Sequence, residues 1–156
     1  MARVDLNGKY GYIDKQGKEV IPLRYDLVGG FSEGMAMVKL NGKYGYIDKQ
    51  GKEVIPLRYD NAWDFREGLA RVKLNGKYGY IDKQGKEVIP LRYDNAWDFR
   101  DGLARVYLNE KYGFIDKQGK EVIPLWYDDA WHFSDGSAKV EIIGKYVYID
   151  KQGKRL

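Results

Sequence analysis

A 34-residue unit recurs along this chain of 156 residues and constrains its fold more than any other feature. Each copy carries the segment Asn-Gly-Lys-Tyr-Gly-Tyr-Ile-Asp-Lys-Gln-Gly or a close variant of it. The copies begin at Asn7, Asn41, Asn75, Asn109 and Ile143. A chain with such a period builds one supersecondary unit several times and stacks the units on each other. The sequence therefore predicts a single repeat domain over residues 1–156, with units at about 2–35, 36–69, 70–103 and 104–137 and a partial unit at 138–156.

The central copies are almost identical to each other. Residues 41–74 and 75–108 differ only at two positions, which are Glu67 against Asp101 and Lys73 against Tyr107. This identity indicates either recent duplication or deliberate consensus design, and the sequence leaves both histories open. The departures from the repeat concentrate toward the two ends of the chain, as expected of units that cap a stack.

Each unit begins with the pattern of a β-hairpin. Residues 69–74 alternate apolar and polar side chains, which is typical of a half-buried strand. The dipeptide Asn75-Gly76 suits a two-residue turn in which both residues need a positive φ. Residues 77–81 return as the partner strand, and this register places Val72 opposite Gly79.

A second turn and a third strand follow the hairpin. Residues 82–85, Asp-Lys-Gln-Gly, are typical of a turn in which Asp bonds to the backbone ahead of it and Gly takes the left-handed position. Residues 86–89 are predicted to form the third strand, ended by Pro90. Residues 93–99 add a short fourth strand or an irregular corner. No segment shows sustained helical periodicity.

The units are expected to share their hydrophobic cores. A lone three-stranded meander with one polar face buries too little apolar surface to offset an ordering cost of about 1.5 kcal/mol per residue. The predicted fold is therefore all-β, an open, solenoid-like or superhelical array of three-stranded β-meander repeats. A five-bladed β-propeller is the alternative, with residues 154–156 adding a strand beside the leading hairpin. The incomplete fifth unit favours the open array.

The recurring aromatic residues are the candidate binding residues. A row of ring faces can hold a sugar, a quaternary ammonium group or a peptide. The same rings can instead pack between units, because aromatic side chains bury large apolar areas. The candidate ligand-binding residues are Tyr44, Tyr46, Tyr78, Tyr80, Tyr112, Trp63, Trp97 and Trp131. The partner expected at this face is a protein or a glycan.

Other residues give little sign of catalysis, of a metal or of a cofactor. One Asp stands before each Lys-Gln-Gly turn, whereas Ca²⁺ needs six to eight oxygen ligands, so these Asp residues are interpreted as turn formers. His132 is the only histidine and there is no cysteine, so a zinc site is not expected. An enzyme needs one constellation of groups in different roles. Near-identical units copy every candidate group into a row, and we predict no enzymatic activity.

Charge and hydropathy narrow the list of partners. The net charge of +4 is spread through the units with acids interleaved among the bases, whereas nucleic-acid binding needs a concentrated basic face. No apolar run reaches the length of a membrane-spanning helix, and the first residues lack an apolar signal-peptide core. We expect no nucleic-acid partner and no membrane insertion. The oligomeric state stays open, and exposed terminal hairpins can associate end to end.

The repeated motifs resemble a known bacterial family. The string Gly-Lys-Tyr-Gly-Tyr-Ile-Asp-Lys-Gln-Gly-Lys-Glu-Val-Ile-Pro, followed by Tyr-Asp-x-Ala-x-x-Phe and Glu-Gly-Leu-Ala-x-Val, is similar to the WG (KWG) repeat. The signature Trp of that family is Tyr at residues 10, 44, 78 and 112, and Tyr146 is followed by Val147. The resemblance implies a repeat module in surface or interaction proteins and no catalytic residues. Choline-binding cell-wall repeats share a Gly-Lys-aromatic hairpin, but their period is nearer twenty residues.

Two functions follow from these patterns as expectations. The first is a non-enzymatic repeat scaffold or interaction module, including a designed or consensus protein without a native role. The second is a carbohydrate or cell-surface binding module that uses the Tyr and Trp face. The two differ in whether ring faces such as those of Tyr78 and Trp97 are open to solvent.

Overall fold

The computed structural model describes all 156 residues and contains β-strands without any helix. The strands form five separate antiparallel sheets in chain order. The first sheet contains β1 (Ala2–Leu6), β2 (Lys9–Ile13) and β3 (Glu19–Tyr25), and the second contains β4 (Leu27–Ser32), β5 (Met35–Leu40), β6 (Lys43–Asp48) and β7 (Glu53–Tyr59). The third contains β8 (Asn61–Arg66), β9 (Leu69–Leu74), β10 (Lys77–Ile81) and β11 (Glu87–Tyr93). The fourth contains β12 (Asn95–Ala96), β13 (Leu103–Leu108), β14 (Lys111–Asp116) and β15 (Glu121–Tyr127), and the fifth contains β16 (Asp129–Ala130), β17 (Ser137–Ile142) and β18 (Lys145–Asp150).

The predicted hairpin and its register are confirmed. Val72 lies opposite Gly79 in the pairing of β9 with β10. Asn75 and Gly76 have φ angles of 52° and 79°, which is the conformation that a two-residue turn between twisted strands requires. The turn of Asp82 is confirmed as well, because its Oδ1 accepts hydrogen bonds from the backbone N–H groups of Gln84 and Lys86 at 2.9 Å.

The predicted three-stranded meander is present in the three inner sheets, and each of them has the additional fourth strand that the sequence left open as an alternative to an irregular corner. The additional strand is the corner segment, represented by β8, which pairs with β9 of the same sheet. A tight turn at Glu67 and Gly68, with φ angles of 52° and 86°, joins the two strands. Each sheet after the first therefore begins at a corner strand.

The prediction that Pro90 ends the third strand is wrong, because β11 continues through it to Tyr93. β11 is the outermost strand of its sheet, and an edge strand tolerates a residue without an N–H group. Gly79 in β10 lies under this segment. A Cβ atom built on Gly79 would stand 2.6 Å from the carbonyl oxygen of Ile89, so the backbone of β11 comes closer to this position than a side chain allows.

The hydrophobic core is divided among the junctions between successive sheets. Tyr46 and Ile55 of the second sheet pack with Phe65, Val72 and Ile81 of the third. Equivalent clusters lie at the other three junctions. Two neighbouring sheets contribute to each core, so an inner sheet supplies residues to two cores. Burying one such side chain stabilises the fold by about 1.5–3 kcal/mol. The expectation of shared cores is confirmed.

The sheets form an open array of β-meanders. No strand pairing joins the first sheet to the fifth, and no closed barrel is present. The fold class predicted from the repeat is therefore confirmed.

Candidate interaction surface

A cation lies against a Trp ring in each of the last three sheets. In the third sheet, Cζ of Arg71 is 4.0 Å from the ring centroid of Trp63, and that centroid is 5.7 Å from the Tyr78 centroid. The equivalent triads are Trp97, Arg105 and Tyr112 in the fourth sheet and Trp131, Lys139 and Tyr146 in the fifth. These contacts bring together five of the eight sequence-predicted site residues, with the cation from β9 or its counterpart on one ring face.

The guanidinium of Arg71 also joins its sheet to the next one. Its Nη1 donates a hydrogen bond of 2.5 Å to the carbonyl of Ala96, and its Nε lies 3.6 Å from a carboxylate oxygen of Asp98. The side chain is only 13% exposed. Because the guanidinium covers one face of Trp63, a quaternary ammonium ligand cannot use that face.

The second sheet lacks this triad. Gly29 stands at the position of Trp63, and Met37 stands at the position of Arg71. Tyr44 is half-buried there, with Nζ of Lys39 5.3 Å from its ring centroid. The aromatic row is thus interrupted at Tyr44.

The remaining two candidates, Tyr46 and Tyr80, lie in the core. The hydroxyl of Tyr46 donates a hydrogen bond of 2.7 Å to the carbonyl of Trp63 in the next sheet, and Tyr80 donates likewise to Trp97. Burial raises the pKa of both phenols well above the ordinary value, because the charged form loses its hydration. Neither ring presents a face to solvent.

A second repeated link joins successive sheets through an Asp. Asp60 forms an ion pair with Lys43 of the second sheet at 2.5 Å and accepts a hydrogen bond of 2.8 Å from the N–H of Asn75 in the third sheet. The ammonium group and the backbone donor both lower the pKa of this carboxyl. Asp26, Asp94 and Asp128 repeat the arrangement.

Acidic residues in the corner turns make a third link. Oε1 of Glu33 accepts a hydrogen bond of 2.9 Å from the N–H of Gly68 in the next sheet and lies 3.5 Å from Nζ of Lys83. Glu67 makes the same two contacts with the fourth sheet. A cleft of about 540 Å³ opens beside these turns and is lined by Arg66, Glu67, Asp98, Phe99, Arg100, Asp101, Phe133, Ser134 and Asp135.

The Asp residues of the Lys-Gln-Gly turns and His132 do not lie together as one group. Asp48 and its counterparts bond to their own turns, as Asp82 does. His132 is exposed. No group of three His, Cys, Asp or Glu side chains is arranged to hold a metal ion. No helix in the structure could cross a bilayer.

Sequence reasoning missed one further surface. Trp126, Ile142 and Ile143 are exposed and line a cleft of about 450 Å³ where the fourth and fifth sheets meet. All three stand where the residues depart from the repeat, so the signal was present in the sequence but was interpreted as end capping.

Three solved structures show a distant likeness to this chain. The AfRom2 CNH domain aligns with 99% of this chain and 69% of its own at 12% identity and a TM-score of 0.48. A protein of unknown function from Bacteroides caccae aligns with 99% of this chain and 75% of its own at 11% identity and a TM-score of 0.38. Alternansucrase in complex with isomaltononaose aligns with 98% of this chain and 15% of its own at 15% identity and a TM-score of 0.19. All three scores lie below 0.5, so these likenesses support no inference about function.

Comparison with protein families gives a specific result. A search of curated proteins found no match. The family model of the WG containing repeat matches four consecutive segments, residues 10–44, 44–78, 78–112 and 112–146. These segments begin and end at the Tyr that replaces the signature Trp, and together they cover most of the chain. The chain therefore belongs to the WG repeat family.

Proposed function

We propose that this protein is a non-enzymatic repeat scaffold that acts through protein contacts on its surface. The observation that carries the proposal is that polar groups which recur in successive units form contacts between sheets. Arg71 bonds to the fourth sheet, Asp60 connects the second and third, and Glu33 bonds to the third. Repetition therefore serves the stacking of units, and the membership of a repeat-type family agrees with such a role.

A cation lies against one face of each Trp ring in the aromatic row. This arrangement weighs against a small-molecule site there. We expect choline chloride and cellohexaose to cause no saturable change in intrinsic Trp fluorescence. A saturable change that Tyr78→Ala or Trp97→Ala abolishes would overturn the proposal in favour of a ligand-binding module. Lys73→Ala, which removes a partly exposed cation beside Tyr78 and leaves both rings, is the matched control.

The scaffold role also requires that units be separable. Deleting residues 75–108 joins Leu74 to Asn109 and restores the repeat. We expect the shortened chain to keep its β-sheet circular dichroism, to melt at a lower temperature because one core is lost, and to have a smaller radius of gyration by small-angle scattering. An unchanged radius, or an unfolded product, would contradict an open array of separable units.

A further inference from the structure

The cleft between the fourth and fifth sheets has mostly apolar walls. Its walls are Leu125 and Trp126 of β15, Ile142 at the end of β17, Ile143 in the turn that follows, and the ion pair of Lys111 with Asp128. Trp126 is 64% exposed, Ile142 38% and Ile143 86%. Three large apolar side chains thus meet solvent side by side in one concave region.

The apolar character of this cleft results from departures from the repeat. Trp126 replaces an Arg, which is Arg92 in the preceding unit, and Ile143 replaces an Asn, which is Asn109. The equivalent Asn residues are exposed in every copy, including Asn75 in the middle of the array. The exposure of Ile143 is therefore a property of its turn and does not depend on its place in the last sheet.

The backbone of Ile143 adds an independent observation. Its φ is 50°, in the left-handed region that the Asn residues of the other copies also occupy. Asn tolerates this conformation, whereas it is a genuine outlier for a β-branched residue. The N–H of Ile143 is held by a carboxylate oxygen of Asp128 at 2.8 Å. Strain of this kind persists where the surroundings over-determine it, and it clusters at functional sites.

We propose that this cleft binds an apolar side chain, of the size of leucine or phenylalanine, on an exposed segment of a partner protein. The proposal rests on the scaffold function above and assigns that function a contact surface. Trp is enriched among the residues that dominate binding energy at protein interfaces, where it lines desolvated pockets. A concave cleft with an ion pair in its wall suits an inserted side chain better than a flat bilayer.

The size of the patch decides against a second copy of this chain as the occupant. A stable dimer buries about 800 Å² on each partner. One partly exposed Trp and two Ile residues offer a fraction of that area, since a fully buried aromatic side chain contributes about 150–250 Å². A single inserted side chain with a short flanking segment matches the area available.

The test uses the full chain and the residues of the repeat itself. Trp126→Arg and Ile143→Asn each restore the residue that other copies carry, so both variants are expected to fold, and Ile143→Asn is expected to melt at a higher temperature. N-acetyl-leucinamide is titrated while the indole N–H signals and the Ile methyl signals are followed by NMR, with N-acetylglycinamide as the control probe. We expect saturable shifts at Trp126 and Ile143 that are at least tenfold weaker in affinity in either variant.

Several outcomes would overturn the proposal. These are the absence of saturable shifts, equal binding by both variants, and equal shifts with N-acetylglycinamide. A concentration-dependent dimer that Trp126→Arg abolishes would assign the patch to a second copy, and cosedimentation with phosphatidylcholine–phosphatidylserine vesicles that Trp126→Arg abolishes would assign it to a bilayer. If the Trp126 indole signal shows no saturable shift, the proposed scaffold function is unaffected. A saturable shift of the Trp97 signal counts against that function.

Discussion

The guanidinium carbon of Arg105 lies 3.9 Å from the ring centroid of Trp97 in the fourth sheet, while its Nη1 donates a hydrogen bond to the carbonyl of Ala130 in the fifth. One side chain thus stacks within its own sheet and bonds to the next. Its Nε is buried without a hydrogen-bond partner, so the guanidinium is held by the ring face and by a single carbonyl. This dual contact makes Arg105 a direct probe of how the sheets are coupled.

Arg105→Lys is expected to lower the free energy of unfolding by about 1–2 kcal/mol. An ammonium group keeps the charge but loses the planar stacking and the fixed direction of the hydrogen bond. Urea denaturation measures the loss. Arg100→Lys is the control, because Arg100 is exposed and forms no ion pair, and a change within about 0.5 kcal/mol is expected there. Equal losses in the two variants would show that the stacked geometry does not matter.

Gly79→Ala is expected to destabilise the protein by about 2–3 kcal/mol. The added Cβ would stand 2.6 Å from the carbonyl oxygen of Ile89 and 2.8 Å from the backbone of Pro90 and Leu91. Backbone atoms cannot move aside as a flexible side chain can. Thermal and urea denaturation of the variant measure the effect.

Gly30→Ala provides the matched control for that prediction. Gly30 lies in β4, has an ordinary negative φ, and a Cβ there would meet nothing within 4 Å. We expect the substitution to be neutral or to stabilise the protein by about 0.4–1 kcal/mol, because it restricts the unfolded chain. A loss at Gly30 as large as that at Gly79 would mean that the close approach of β11 is not the cause.

Local turn chemistry explains what could be predicted from the sequence. Asn75-Gly76 specifies a positive φ at both positions, and the alternation of β9 then fixes the register. The turn at Glu67-Gly68 has the same conformation, but Glu is not typical of the left-handed region. The sequence therefore left a strand and an irregular corner open for the segment that forms β8. The continuation of β11 through Pro90 depends on that strand lying at the edge of its sheet, which only the pairing of all four strands determines.

The candidate site was predictable only in part, and for a similar reason. Tyr78 and Tyr80 alternate in β10 and share one face of the sheet, as the spacing indicates. Their depths differ because the next sheet covers Tyr80 and leaves Tyr78 half-buried. Depth along one face depends on how sheets stack, and residue spacing does not contain that information. The cation on Trp63 comes from Arg71 of the neighbouring strand, a contact that the sequence analysis did not predict.

The bridging Asp residues are expected to make stability depend on acidic pH. The pKa of Asp94 is lowered from 3.8 by its hydrogen-bonded partner Lys77 and by the N–H of Asn109. A lowered folded-state pKa means that the contribution is present above pH 3.8 and is lost as the pH falls through the folded-state value. We expect the difference in melting temperature between the wild type and Asp94→Asn to be largest near neutral pH and to shrink below about pH 4.

The control for this pH dependence is Glu110, an acidic residue that forms none of the links between sheets. Glu110 replaces a turn Gly, and its carboxylate makes no ion pair. The difference between the wild type and Glu110→Gln should stay constant over the same pH range. If the Asp94→Asn difference were also constant, the link through Lys77 and Asn109 would carry no stability.

The buried phenols are expected to make stability fall as the pH rises into the alkaline range. Burial raises the pKa of Tyr80 above its ordinary value of 10.0, so the folded state favours the protonated phenol. Its contribution is fully present below about pH 10 and is lost as the pH rises from that value toward the folded-state pKa. Absorbance at 295 nm should therefore show partly exposed tyrosines ionising first, and Tyr80 should ionise together with unfolding.

Tyr80→Phe copies Phe114 of the next unit. It is expected to cost about 0.5–1.5 kcal/mol at neutral pH through the lost hydrogen bond to Trp97 and to reduce the loss of stability above pH 10. If the alkaline transition were unchanged in this variant while Tyr46→Phe shifted it, the junction of the second and third sheets would control unfolding, and the junction of the third and fourth sheets would not.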